Sequence, residues 1–305
     1  MAATSLLADI TVPECDPGVR ADTGSQQPPS RFRLEATGRT RATQRRRNQR
    51  ELDAALKAQN FTLQFQPVVR LDDGAVVGAE AQLRWPHGKT GVHPATGFMA
   101  LAEQTGQIAA IGGWWLSQAC DAAATAGWPQ AWPVDWTVTV SVSFRQLSAG
   151  VVLSQVAAAL GRSELAAERL DIVLQEPQCG DVSVDDLLAL SALRDLGVGV
   201  VLGGFGTGAA SLSALKRLPL TGLRLDRSLI RDIAESAQDA AILRAIVQTG
   251  HALGLQMTAT GVETEAQCGL LAGCGCDAGQ GTRFGQALPA EVLKPGLLKR
   301  GMKKP

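Results

Sequence analysis

The chain has 305 residues, 45% of them apolar and 19% charged, and a formal net charge of zero at pH 7. Six cysteines (Cys15, Cys120, Cys179, Cys268, Cys274, Cys276) scattered over this length argue against a disulfide scaffold, and they read as packed, reduced thiols. The longest apolar runs, such as Leu188 to Leu193 and Ile242 to Val247, fall well short of the roughly 20 residues a membrane-spanning helix needs.

In chain order, the N-terminal segment Ser5-Leu6-Leu7-Ala8-Asp9-Ile10 is too short and too acidic for a secretory signal core, so a soluble, cytoplasmic protein is expected. Residues 1–40 carry Pro13, Pro17 and the run Gln26-Gln27-Pro28-Pro29-Ser30 with few large apolar side chains, a mixture that cannot offset the entropy of folding. Between 31 and 50 there are eight arginines (Arg31, Arg33, Arg39, Arg41, Arg45, Arg46, Arg47, Arg50) against Glu35, which makes this stretch +7 and the remainder −7. Residues 1–47 are therefore read as a disordered, Arg-rich arm. A helix is expected from Ala42 to about Asn60, since Arg, Gln, Glu, Ala and Leu favour one. The arm keeps the chain soluble, or it binds phosphate groups or an acidic partner. A tether to nucleic acid or to a membrane ranks last, because the rest of the chain is net acidic and no reading motif is evident.

Downstream, strands and helices alternate as in a parallel sheet with crossover helices. Strands are predicted at Leu63–Val69, Val76–Leu83, Thr137–Val142, Leu170–Leu174, Gly199–Leu202, Gly222–Leu225, Gln256–Ala259 and near Ala278. Between them lie apolar periodic segments at Phe98–Glu103, Ile111–Ala124, Gln146–Leu160, Val184–Leu196, Ser211–Arg217, Ala237–Leu253 and Glu265–Ala272. Eight such strands with their helices predict an α/β, TIM-type (β/α)8 barrel over residues 48–295, followed by a basic C-terminal tail, 296–305.

Several blocks carry a family resemblance: Gln66-Pro67-Val68-Val69, Gly78-Ala79-Glu80-Ala81-Gln82-Leu83-Arg84-Trp85, Leu101-Ala102-Glu103-Gln104-Thr105-Gly106, Phe205-Gly206-Thr207-Gly208, Leu218-Pro219, Gly261-Val262-Glu263-Thr264-Glu265 and Gln280-Gly281. In this order and spacing the chain resembles an EAL domain, the bacterial module that hydrolyses cyclic di-GMP. The resemblance implies a barrel with one early strand reversed and a two-metal site at the C-terminal ends of the strands. Such a site supplies hydroxide and screens phosphoryl charge, and Mg²⁺ or Mn²⁺ in it need oxygen ligands.

Carried over residue by residue, the family's metal positions fall on Glu80, Ser141, Val173, Gly203, Gly204 and Thr260, so four carboxylate positions are lost. The name-giving motif reads Glu80-Ala81-Gln82, with glutamine for leucine. The lysine near the attacking water is matched by Arg224, which does not exchange its proton as lysine does. Gln280 is kept. One carboxylate and two hydroxyls do not hold two divalent cations, so no metal cofactor and no hydrolysis are expected. Gln66, Glu80, Arg84, Phe205, Arg224 and Gln280 are the expected ligand-binding set: arginines for phosphates, amides as donors, Phe205 for a base. Each has a plainer reading, with Glu80 and Arg84 pairing at the rim, Gln66 and Gln280 capping strand ends, and Phe205 in the core. The expected function is a catalytically inactive regulator of cyclic di-GMP signalling that binds the dinucleotide. The alternatives are a nucleotide-independent protein-interaction regulator, with a possible homodimer contact at Thr207–Leu215, and a weak residual phosphodiesterase.

Overall fold

The computed structural model describes residues 49–87, 91–126, 128, 135–175, 182–207 and 212–293. The chain divides into two compact units, residues 1–46 and 47–305. The first unit, and with it nearly all of the Arg-rich arm, lies outside the described residues, as does the 296–305 tail. A helix over residues 49–57, α1, opens the described part. This is the C-terminal half of the helix expected from Ala42.

The barrel strands are β1 (Thr62–Arg70), β2 (Val76–His87), β4 (Thr137–Val142), β5 (Leu170–Gln175), β6 (Gly199–Phe205), β7 (Gly222–Leu225), β8 (Gln256–Thr260) and β9 (Ala278–Gln280); β3 (Gly91–Pro94) lies outside the ring. Strand order is β1-β9-β8-β7-β6-β5-β4-β2-β3, and an additional β1–β2 pairing closes the barrel. β1 runs antiparallel to both neighbours, β2 and β9, whereas every pairing from β2–β4 round to β8–β9 is parallel. The expected eight-stranded ring with one reversed strand is thus the observed one. β3 was not foreseen. It forms a hairpin with the end of β2, which runs on to His87.

Strand β4 shows why these sequences make a barrel wall. Its residues alternate, with Val138, Val140 and Val142 buried, while Thr137 and Thr139 line a cavity in the barrel interior. Successive side chains on a strand point to opposite faces, so β-branched Val packs under the helices and Thr and Ser face the axis. The helices are α2 (Met99–Thr105), α3 (Ile108–Thr125), α4 (Phe144–Ser148), α5 (Val152–Ser163), α6 (Val184–Asp195), α7 (Leu212–Arg217), α8 (Ala237–Ala252) and α9 (Glu265–Gly273). Capping boxes start α4 at Ser143 with Gln146, α6 at Ser183 with Asp186, and α9 at Thr264 with Gln267. The single helix expected over Gln146–Leu160 is instead α4 and α5, separated at Gly150, whose φ of 70° lies in the left-handed region.

The core is one continuous apolar cluster. Trp85, Trp115, Trp128 and Trp136 are buried, and Trp114 packs partly buried against the same cluster. Phe61 packs against Trp85, Phe98 and Trp114 at ring-centroid separations of 6.3, 5.9 and 5.8 Å. Among the described cysteines, Cys120, Cys274 and Cys276 are buried and unbridged. Burial, with Asp277 beside it, pushes the Cys276 thiol up to about 12. It is a packed thiol rather than a reactive one.

Candidate functional site at the C-terminal mouth

Period-2 geometry puts Glu80, Gln82 and Arg84 on one face of β2, and Gln64 and Gln66 on one face of β1. The antiparallel register sets Gln66 opposite Glu80 and Gln64 opposite Gln82. On the far side of the ring, Arg224 is the third residue of β7 and Gln280 closes β9. The barrel thus brings five of the six expected ligand-binding residues into one polar network.

At its centre is Glu80. Its Oε1 accepts from Arg224 Nη1 at 3.0 Å, and its Oε2 accepts from Gln280 Nε2 at 3.0 Å and from Gln82 Nε2 at 3.2 Å. Arg224 Nη2 also donates to Gln280 Oε1. The Arg224 side chain is 8% exposed and that of Glu80 18%. Desolvation pulls the Glu80 carboxyl upward, but the Arg224 charge and the three hydrogen bonds outweigh it and hold the group below its ordinary 4.5. Glu80 therefore stands as a carboxylate already engaged by three protein donors.

Gln82 joins the two halves of the network. Its Nε2 also donates to Gln66 Oε1 at 2.8 Å, and its Oε1 accepts from Arg84 Nη2 at 2.6 Å. Arg84 Nε reaches Gln64 Oε1 at 2.9 Å, and Gln66 Nε2 donates to the Gly285 carbonyl at 3.1 Å. The simple rim pair expected between Glu80 and Arg84 is not the arrangement found. Glu80 pairs with Arg224, and Arg84 is held by two glutamines. Gln64 and Gln82 were missing from the expected set. The signal for them was present: polar residues on the strand faces shared by Gln66 and Glu80, with Gln82 where the family places leucine.

Phe205 is not part of this network; its ring is buried, 8% exposed, in the apolar core. The other family metal positions sit at the ends of their strands. Ser141 Oγ accepts from Gln175 Nε2 at 3.4 Å, and Thr260 Oγ1 donates to the Leu225 carbonyl at 2.8 Å. Val173 is buried. Gly203 pairs with Gln175 in register, and the β6–β7 pairing shifts between Leu202 and Phe205. Gly204 there has φ 72°, a conformation an aspartate adopts only at a cost. A Cβ built on Gly203 would stand 2.6 Å from Val173 Cγ1, so valine fills the space that a side chain at 203 would need.

Asp226, just beyond β7, is a second carboxylate at this end, and its Oδ1 accepts from the Ser228 amide at 2.9 Å to cap a short 3-10 turn. Glu80 and Asp226, both already hydrogen-bonded by the protein, do not by themselves match the oxygen-rich donor set that two divalent cations require. Among the described residues no group of three His, Cys, Asp or Glu side chains is placed to hold a metal ion.

Residues 49–287 match the family model described as EAL domain. The chain is 38% identical over 243 residues to the bifunctional diguanylate cyclase/cyclic di-GMP phosphodiesterase MucR of Pseudomonas aeruginosa, covering 80% of this chain and 35% of that protein. It is 35% identical over 260 residues to the cyclic di-GMP phosphodiesterase NbdA of the same organism, covering 84% of this chain and 33% of that one. The chain thus spans about a third of the length of these curated relatives. Among solved structures, the MucR phosphodiesterase in complex with c-di-GMP superposes with a TM-score of 0.74 at 38% identity, over 80% of this chain and 98% of that one.

Proposed function

The chain belongs to the EAL-domain family of cyclic di-GMP signalling proteins, and from that premise we propose that it binds cyclic di-GMP at the C-terminal mouth without metal and without hydrolysing it. The observation that carries this reading is the Arg224–Glu80 ion pair. The carboxylate that would anchor a metal is engaged by a guanidinium and two amides, and the remaining metal positions hold Ser141, Val173, Gly203, Gly204 and Thr260. Without a metal, water keeps a pKa of about 15.7 rather than about 7, and hydroxide at neutral pH is scarce by many orders of magnitude.

The arginine that blocks metal binding suits an anionic ligand. Loss of four acidic side chains lowers the repulsion a dinucleotide would meet, and Arg224 and Arg84 supply fixed positive charge in their place. Arg84, tethered by neutral glutamine oxygens rather than by a carboxylate, keeps its charge available to a phosphate.

The test is prolonged incubation of purified protein with cyclic di-GMP in Mg²⁺ or Mn²⁺, followed by chromatography of the nucleotide. The expected result is intact cyclic dinucleotide. Metal-dependent turnover that disappears in Glu80→Ala would refute the reading.

A second reading, a protein-interaction regulator, is favoured by one observation: Val184 and Leu188 on α6 and Leu196 just after it are 72%, 63% and 44% exposed. The segment Thr207–Leu215, expected at a homodimer contact, falls partly outside the described residues.

A further inference from the structure

The opposite end of the barrel holds a feature that cyclic di-GMP binding does not use. A cavity of about 400 Å³ opens at the N-terminal ends of the parallel strands, walled by Thr137, Gly222, Gln256 and Ala278, the first residues of β4, β7, β8 and β9, with Asp171 of β5 beside them. Barrel interiors of this class are commonly filled by layers of bulky branched side chains. Here Thr137, Gly222 and Ala278 stand among them, and the space left lies within the ~300–1,000 Å³ of small-molecule pockets.

The charges lining this space do not balance. Its carboxylates are Asp72, Asp135, Asp171 and Asp277, and its cations are Arg70 and Arg224. Both arginines are engaged. Arg70 bridges Asp73 and Asp135 at 3.0 and 2.7 Å, and Arg224 faces Glu80 at the other mouth. Asp277 accepts from the Met257 amide at 2.7 Å and contacts His251 Nε2 at 2.9 Å. Asp171 has only the Thr137 hydroxyl, on Oδ2 at 2.7 Å. Its Oδ1 carries no hydrogen bond to a described residue. Thr139, in register with Asp171, is 6% exposed, and its hydroxyl has no side-chain partner among the described residues although it lines the cavity.

We propose that this cavity is a binding site for a small organic cation, a primary alkylammonium whose head group is received by Asp171 Oδ1, by the Thr139 hydroxyl and by that of Thr258, which also lines the cavity. An ammonium brings three donors and no acceptor, which suits a carboxylate oxygen and two hydroxyls. Val68, Val77 and Val201 line the same cavity and provide apolar surface for an alkyl stem. A divalent metal fits less well, because it needs more charged oxygen ligands than Asp171 supplies. An anion would meet the Asp171 carboxyl, which burial pushes up and the Thr137 hydroxyl and the Arg224 charge pull down.

The test titrates the full chain with three probes of equal chain length, n-butylammonium, 1-butanol and butyrate, read by calorimetry. The expected result is binding of n-butylammonium with a Kd in the millimolar range or tighter and at least ten-fold preference over the alcohol and the acid. Asp171→Asn keeps an acceptor for Thr137 and removes the charge; it is expected to lose ten-fold or more. The near-isosteric Thr139→Val is expected to lose several-fold while cyclic di-GMP binding at the far mouth is unchanged. Equal affinity for the three probes, no binding of n-butylammonium, or wild-type affinity in a folded Asp171→Asn protein would overturn the proposal. The comparison of probes on the unaltered protein decides the matter even if a variant fails to fold.

Discussion

The Arg224–Glu80 pair joins opposite sides of the barrel at its C-terminal mouth. A buried ion pair contributes little compared with an apolar pair of the same shape, but removal of one partner leaves an uncompensated charge. Arg224→Ala is therefore expected to lower stability by roughly 3–5 kcal/mol in urea denaturation, and the double variant Arg224→Met/Glu80→Leu to recover most of that. The pair also sets a pH dependence. Glu80's folded-state value lies below the unfolded 4.5, so its contribution is complete above that pH and is lost as pH falls through the folded value. Thermal unfolding from pH 7 down to 3 should show a fall in wild-type stability below about 4.5 that is reduced in Glu80→Gln. A parallel fall in both proteins would mean that Glu80 is not held ionised. At this scale the sequence identified Glu80, Arg224 and Gln280 through their motif positions. It did not reveal that Arg224 reaches Glu80 across the ring, because 144 residues separate them and only the barrel's closure makes them neighbours.

Among the elements, β5 and β6 place two of the family metal positions, Val173 and Gly203, against each other. Val173 occupies the volume beside Gly203, so restoring an aspartate at 203 alone drives its Cβ against Val173 Cγ1. Gly203→Asp is expected to cost about 1–3 kcal/mol, as overpacked sites do, and Val173→Ala in the same chain to return part of it. A double-mutant cycle by thermal unfolding measures that coupling; strictly additive effects would separate the two sites. The barrel strands were legible because alternating apolar runs such as Val138–Val142 can be read without a partner. β3 was not, since Gly91-Val92-His93-Pro94 has no alternation and forms only by pairing back on β2. The division of α4 from α5 was also missed. Gln146–Leu160 keeps helical apolar spacing across Gly150, and only the left-handed backbone there ends the first helix.

For the molecule as a whole, the barrel separates two chemistries along one axis: an arginine-bearing mouth at the C-terminal ends of the strands and a carboxylate-bearing cavity at the N-terminal ends. Arg224 lines both, with Glu80 and Gln280 fixing its guanidinium on one side. Among the described residues no helix is long and apolar enough to cross a membrane. The measurement that tests the account most directly is calorimetric titration of cyclic di-GMP into the full chain, once in EDTA and once in Mg²⁺, with Arg84→Ala alongside. The account predicts micromolar or tighter binding of similar strength in both buffers, weakened at least ten-fold in Arg84→Ala. Binding that appears only with Mg²⁺, or no binding in either buffer, would contradict it.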